Sequence, residues 1–116
     1  MTHEQRSHLP HYKLLRTLQE CKATCDNTTT MILSKPDLQF RTNQLRLLRD
    51  CVDMCDLTEK LVARHSPFTK RILSECAYVC DACANECLKF PDMESQRCAQ
   101  ICLKCAEECR QHAMMM

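Results

Sequence analysis

Twelve of the 116 residues are cysteine, and their spacing is regular. One stretch reads Cys76-x3-Cys80-x2-Cys83-x3-Cys87, and 22 residues later the same pattern returns as Cys98-x3-Cys102-x2-Cys105-x3-Cys109. Two shorter copies, Cys21-x3-Cys25 and Cys51-x3-Cys55, precede them. Thiolates are soft ligands that select Cu(I), Zn(II) or iron-sulfur clusters, so the chemistry on offer is metal binding. Catalysis is not expected. Cys with His is the one nucleophile pairing present, and no substrate cleft follows from the pattern.

The spacing also states what must hold these residues. At about 100° per residue, four positions spaced 4-3-4 fall within an arc of about 60° on one face of a helix. Extending the alternation from the shorter copies picks up Leu14, Leu18, Thr28 and Ile32 on one side, and Leu48, Thr58 and Val62 on the other. The cysteine line is therefore the core line of each helix. Ser34-Lys35-Pro36-Asp37, Ser66-Pro67 and Phe90-Pro91-Asp92 combine proline with a capping residue, and each is read as stopping one helix and capping the next. The segments between run from about residue 10 to 33, 38 to 65, 68 to 89 and 93 to 112, each rich in good helix formers. Short connections force neighbours antiparallel. The expected fold is all-α, an up-down-up-down four-helix bundle with a cysteine-lined core, as one domain over residues 1–116.

Composition narrows the classes further. Apolar types make up 45%, but with cysteine set aside the aliphatic and aromatic share is about a third, so any core must contain thiols. There is no glycine, which removes the glycine turns of Rossmann and P-loop nucleotide sites. A net charge of +1 argues against a nucleic-acid surface, and without an apolar run of membrane-spanning length no membrane partner is expected. The opening Met1-Thr2-His3-Glu4-Gln5-Arg6 leads into a mixed-charge segment without the apolar stretch of a signal peptide, which sets the expectation of a cytoplasmic protein. In a reducing compartment such a cysteine density points to free thiols or metal rather than a disulfide scaffold.

Two metal-free explanations compete. Free cysteine is a small hydrophobe and often buried, but twelve of twelve on core lines pack less apolar volume than Leu or Ile would. Disulfides within a helix are disfavoured because Cβ atoms four residues apart lie about 5 to 6 Å from each other, so bridges would have to cross between helices.

The doubled Cys76 to Cys87 and Cys98 to Cys109 motif, with the pairs at 21/25 and 51/55, resembles the cytosolic copper storage proteins, also catalogued as cysteine-rich "ferredoxin-like" proteins. The likeness covers nearly the whole chain. It implies a four-helix bundle holding many Cu(I) ions on interior thiolates, assembled as a homo-oligomer, a tetramer of bundles. Charge favours the same metal. Three Zn(II) in four-thiolate sites would leave a formal charge of minus six buried, whereas one Cu(I) per thiolate gives neutrality. Cu(I) also accepts two or three bridging sulfurs, which suits a continuous stripe, while tetrahedral Zn needs closed sets of four. Iron-sulfur sites use short loop spacings that do not occur here. The expected ligands are Cys21, Cys25, Cys51, Cys55, Cys76, Cys80, Cys83, Cys87, Cys98, Cys102, Cys105 and Cys109, with about twelve Cu(I) as cargo. Zinc-thiolate and iron-sulfur binding, and a structural or partner-binding bundle with incidental thiols, stay open as alternatives.

Three of the five histidines continue the core line outward: His11 before Leu14, His65 after Val62 and His112 after Cys109. In an up-down-up-down bundle these positions share one end, which makes them the expected point of ion entry. Imidazole binds Cu(I) less tightly than thiolate and could hand an ion to Cys109 without trapping it. The thioethers of Met114, Met115 and Met116 would lie nearby. Beyond copper ions, the partners expected are a copper donor or acceptor protein and further copies of the chain, with Leu15, Leu45, Leu47, Leu61 and Ile72 supplying apolar surface off the cysteine line.

Overall fold

In the computed structural model, residues 11–116 are described, and within them the regular structure is entirely helical. Helix α1 spans Tyr12–Ile32, α2 Thr42–Ala63, α3 Thr69–Cys87 and α4 Met93–Met114. Residues 1–10, including the expected start of the first helix, lie outside the described residues.

The breaks fall where the proline clusters put them, but the local chemistry differs from the expected caps. Only Asp92 caps as read, its carboxylate accepting from the Ser95 backbone N–H at 3.1 Å. The expected second helix does not run continuously from residue 38. Leu38–Phe40 forms a 3-10 turn, and Arg41 breaks the helical path at φ −112°, ψ 17°, so α2 starts at Thr42. The cause lies in the Arg41 side chain, drawn inward to Asp37 and Asp92. At its other end α2 stops at Ala63 rather than residue 65, because His65 turns left-handed at φ 53°. The Ser66 N–H then reaches Leu61 O at 3.0 Å and the His65 N–H reaches Val62 O at 3.2 Å, the paired bonds of a Schellman ending. Glycine usually takes that position, and this chain has none. Helix α3 is one residue shorter at its start and two at its end than expected, and α4 extends two residues beyond His112.

Cross-helix contacts establish the directions. Along α1, Lys13 pairs with Glu108, Glu20 with Lys104 and Cys25 with Cys98, so ascending α1 descends α4. Lys22 of α1 meets Asp56 and Glu59 of α2, while His11 meets His65. Between α2 and α3, Cys51 lies against Cys80 and Gln44 against Cys87. Between α3 and α4, Asp81 pairs with Arg110, and the Gln96 side chain folds back to Leu88 O. All four adjacent pairs are antiparallel. Leu14, Leu18, Ile32, Leu48, Val62 and Leu73 are buried together with all twelve cysteines, so aliphatic side chains continue the packing around the thiols.

Candidate metal centre

All twelve cysteines are fully buried, and all are free thiols. The rest of each core line is buried with them, including Thr28 and Thr58, whose hydroxyls donate to the carbonyls of Thr24 and Met54 four residues earlier. Apart from Cys87, which also meets the Gln44 amide, the sulfurs are surrounded by other sulfurs and buried core side chains rather than by water.

The sulfur separations are narrow in range. Across helices, Cys25 and Cys102 are 3.6 Å apart, Cys51 and Cys80 3.7 Å, Cys25 and Cys98 3.8 Å, and Cys21 and Cys102 3.8 Å. Along helices, Cys76 to Cys80 and Cys98 to Cys102 measure 4.0 Å. A metal about 2.3 Å from each sulfur gives an S to S distance of about 3.8 Å for tetrahedral and about 4.0 Å for trigonal coordination. The sulfurs stand at those distances.

Three groups have their sulfurs mutually within 4.8 Å: Cys76, Cys105 and Cys109; Cys21, Cys55, Cys80 and Cys105; and Cys21, Cys25, Cys51 and Cys102. Cys105 belongs to the first two and Cys21 to the last two. Isolated four-thiolate sites cannot own the same sulfur, whereas bridging thiolates can, so the overlap describes a ladder. Cys98 extends it through Cys25, and Cys87 ends against the side chain of Gln44 at 3.5 Å.

Protons are unevenly shared along this ladder. Cys80 and Cys109 are pushed above the ordinary thiol range, first by neighbouring Cys105, next by other sulfurs (Cys21 for Cys80, Cys76 for Cys109) and only then by burial, and Cys102 likewise, first by Cys21. Cys51 is drawn down, first by Cys102, and Cys76, first by Cys105. Twelve adjacent anions cannot coexist in a dry interior without cations between them.

The three histidines meet at one end. The His11 ring lies 5.5 Å from that of His112 and 6.2 Å from that of His65, centroid to centroid. His112 is one turn beyond Cys109, and its Nδ1 lies 3.0 Å from Glu108 O. Burial first, then the charges of His112 and His65, hold His11 below the ordinary histidine range, which favours the neutral imidazole that binds metal. The side chains of Met114, Met115 and Met116 are exposed at this end.

Sequence reasoning missed the opposite end. Arg41, Gln44 and Ser95 are buried there, in a hydrogen-bonded cluster with Asp92 that reaches Cys87. The signal was available: stepping the 4-3 alternation back from Leu48 reaches Gln44 and then Arg41, and stepping back from Cys98 reaches Ser95.

Comparison with known proteins agrees with this geometry. The family model for copper storage protein matches residues 7–114. An uncharacterized cysteine-rich protein of Bacillus subtilis (strain 168), YhjQ, is 37% identical over 70 residues, which is 60% of this chain and 65% of that protein. Among solved structures, Cu(I)-bound copper storage protein BsCsp3 superposes with a TM-score of 0.85 at 34% identity, covering 89% of this chain and 97% of that one. The copper storage protein of Streptomyces lividans loaded with 10 copper equivalents gives 0.87 at 26% identity, covering 90% and 84%. A structure of a cytosolic copper storage protein from that organism, with five coppers, gives 0.71 at 26% identity, covering 88% and 87%. On the match across nearly its whole length, the chain belongs to the copper storage protein family.

Proposed function

We propose that this protein stores multiple Cu(I) ions on the twelve interior thiolates, which exchange through the end that carries His11, His65 and His112. The single observation that carries the storage reading is the overlap of sulfur groups at Cys21 and Cys105. Shared sulfurs allow many monovalent ions to be held with their charge neutralised in a dry core, and zinc in separate tetrahedra would not use them. The copper-bound relatives support the same metal.

Ions enter at the histidines because imidazoles of intermediate affinity lie one turn outside Cys109, and Cys109 opens the first sulfur group with Cys76 and Cys105. From there the overlapping groups lead inward to Cys25, Cys51 and Cys102. Among the described residues no helix is long and apolar enough to cross a membrane. A cytosolic setting is supported by the Streptomyces lividans relative described as cytosolic. Leu15, Leu45, Leu47, Leu61 and Ile72 are each half-buried in a single chain, and association of copies would bury the remainder.

The test of the entry is a His11, His65 and His112 to Ala triple variant. Slower Cu(I) loading and unloading at nearly unchanged capacity is expected; unchanged rates would remove the histidines from the route.

A further inference from the structure

At the end away from the histidines, the core lines of α2 and α4 finish on polar side chains rather than aliphatic ones. Arg41 is only 3% exposed, and Gln44 and Ser95 are fully buried. A guanidinium is expensive to bury unless fully paired, and Arg41 is paired throughout. Its Nε donates to Asp37 Oδ1 at 2.9 Å, and its Nη2 forms an ion pair with Asp92 Oδ1 at 2.8 Å. Its Nη1 donates to Gln44 Oε1 at 3.1 Å and to Ser95 Oγ at 3.3 Å, and the Phe90 ring centroid lies 4.3 Å from its Cζ.

This pairing fixes the direction of every bond beyond it. A guanidinium only donates, so Gln44 must present Oε1 to Arg41 and turn Nε2 the other way. Nε2 then donates to Ser95 Oγ at 2.8 Å and to Cys87 Sγ at 3.5 Å, while the Ser95 hydroxyl donates to Asp92 Oδ2 at 2.7 Å. Capping α4 does not require this arrangement, because Asp92 already accepts from the Ser95 backbone. Aliphatic residues at 41 and 44 would fill the space without a desolvation penalty.

We infer that Arg41, Gln44, Ser95 and Asp92 form the closed floor of the copper store, in which Gln44 is a positioning residue for Cys87 and the end opposite the histidines is shut to ions. The floor closes by filling space rather than by repulsion, since the two carboxylates of Asp37 and Asp92 outweigh the single positive charge of Arg41. With an N–H donor on its sulfur, Cys87 ends the ladder as the last rung, and no further thiol lies beyond it.

This inference rests on the proposed histidine entry, and its test separates the two. The metal-free protein is treated with iodoacetamide, and each cysteine is followed by peptide mass spectrometry. In Gln44→Ala, alkylation of Cys87 should rise by roughly tenfold while Cys109 at the histidine end stays at its original rate, because local opening is confined to the floor. A rise shared by all twelve cysteines would show general loosening, and no rise would show that Gln44 guards nothing; either overturns the floor. If Gln44→Ala does not fold, Ser95→Ala makes a smaller deletion in the same chain and is judged by the same selectivity. The copper-loaded proteins are then unloaded with bathocuproine disulfonate. Faster release from Gln44→Ala, persisting when the three histidines are also replaced, marks a second route through the floor, whereas release that still depends wholly on the histidines overturns it. Selective Cys87 exposure with an inert histidine triple variant would leave the floor standing and sink the entry; the reverse pattern would do the opposite.

Discussion

The sulfurs of Cys25 and Cys102 stand 3.6 Å apart across the α1 to α4 contact. That is far beyond a disulfide bond of about 2.05 Å and close to the edge of a sulfur polyhedron around a metal bonded at about 2.3 Å. That spacing is the one the proposed sharing of an ion between Cys25 and Cys102 would need.

Sulfurs that belong to two groups should matter more than those that end the line. Cys21→Ser removes a sulfur from two overlapping groups, whereas Cys87→Ser removes one from the edge. Chelator-competed Cu(I) titration should show Cys21→Ser losing about two ions, in line with the two groups it serves, and Cys87→Ser, which stands outside all three groups, losing about one at most. Equal losses would argue against bridging.

Loading should release protons. Cys80, Cys102 and Cys109 are held protonated by the sulfurs beside them and by burial, and a thiol must lose its proton to bind metal. Up to one proton per Cu(I) is expected, fewer where Cys51 or Cys76 is the ligand, read from the buffer dependence of the calorimetric heat, and affinity should fall as pH is lowered. Proton-independent binding would mean the thiols are not the ligands.

His65 holds a left-handed backbone at φ 53°, which costs a side-chain-bearing residue about 1 kcal/mol relative to glycine. His65→Gly should raise the thermal midpoint of the metal-free protein by a few degrees while slowing copper loading. A loss of both stability and loading rate would show that the imidazole serves packing instead.

Acid should weaken the floor before it unfolds the bundle. Burial opposes ionisation of Asp92, but the bonds from Ser95 and Arg41 win and hold it down to about 2. A carboxyl lowered in the folded state adds stability above its unfolded value of about 3.9, and that contribution fades as pH falls toward 2. Asp92→Asn should therefore melt below the unmodified protein at pH 6, with the gap closing between about pH 4 and pH 2. A gap independent of pH would remove the ion pair with Arg41 from the explanation.

Much of this molecule was legible before its structure. The alternation that placed Cys76 to Cys87 and Cys98 to Cys109 on core faces also placed Leu14, Leu18, Thr28, Thr58 and Val62, and all of them are buried. The meeting of His11, His65 and His112 followed from the same count along antiparallel helices. What escaped was the polar end of the line. Arg41 and Gln44 sit on it, but charged and amide side chains are rarely buried, and only tertiary partners from the start of α4 make their burial affordable. The left-handed ending of α2 was hidden for a related reason: without glycine in the chain, nothing in the sequence marked His65 as the residue that turns.

The storage reading stands or falls on capacity. Anaerobic titration of the fully reduced protein with Cu(I), against a competing chelator, should saturate at about twelve ions per chain, with Cys21, Cys105 and their neighbours bridging. Saturation at one or two ions would contradict a store and leave a single metal site in an otherwise inert thiol core.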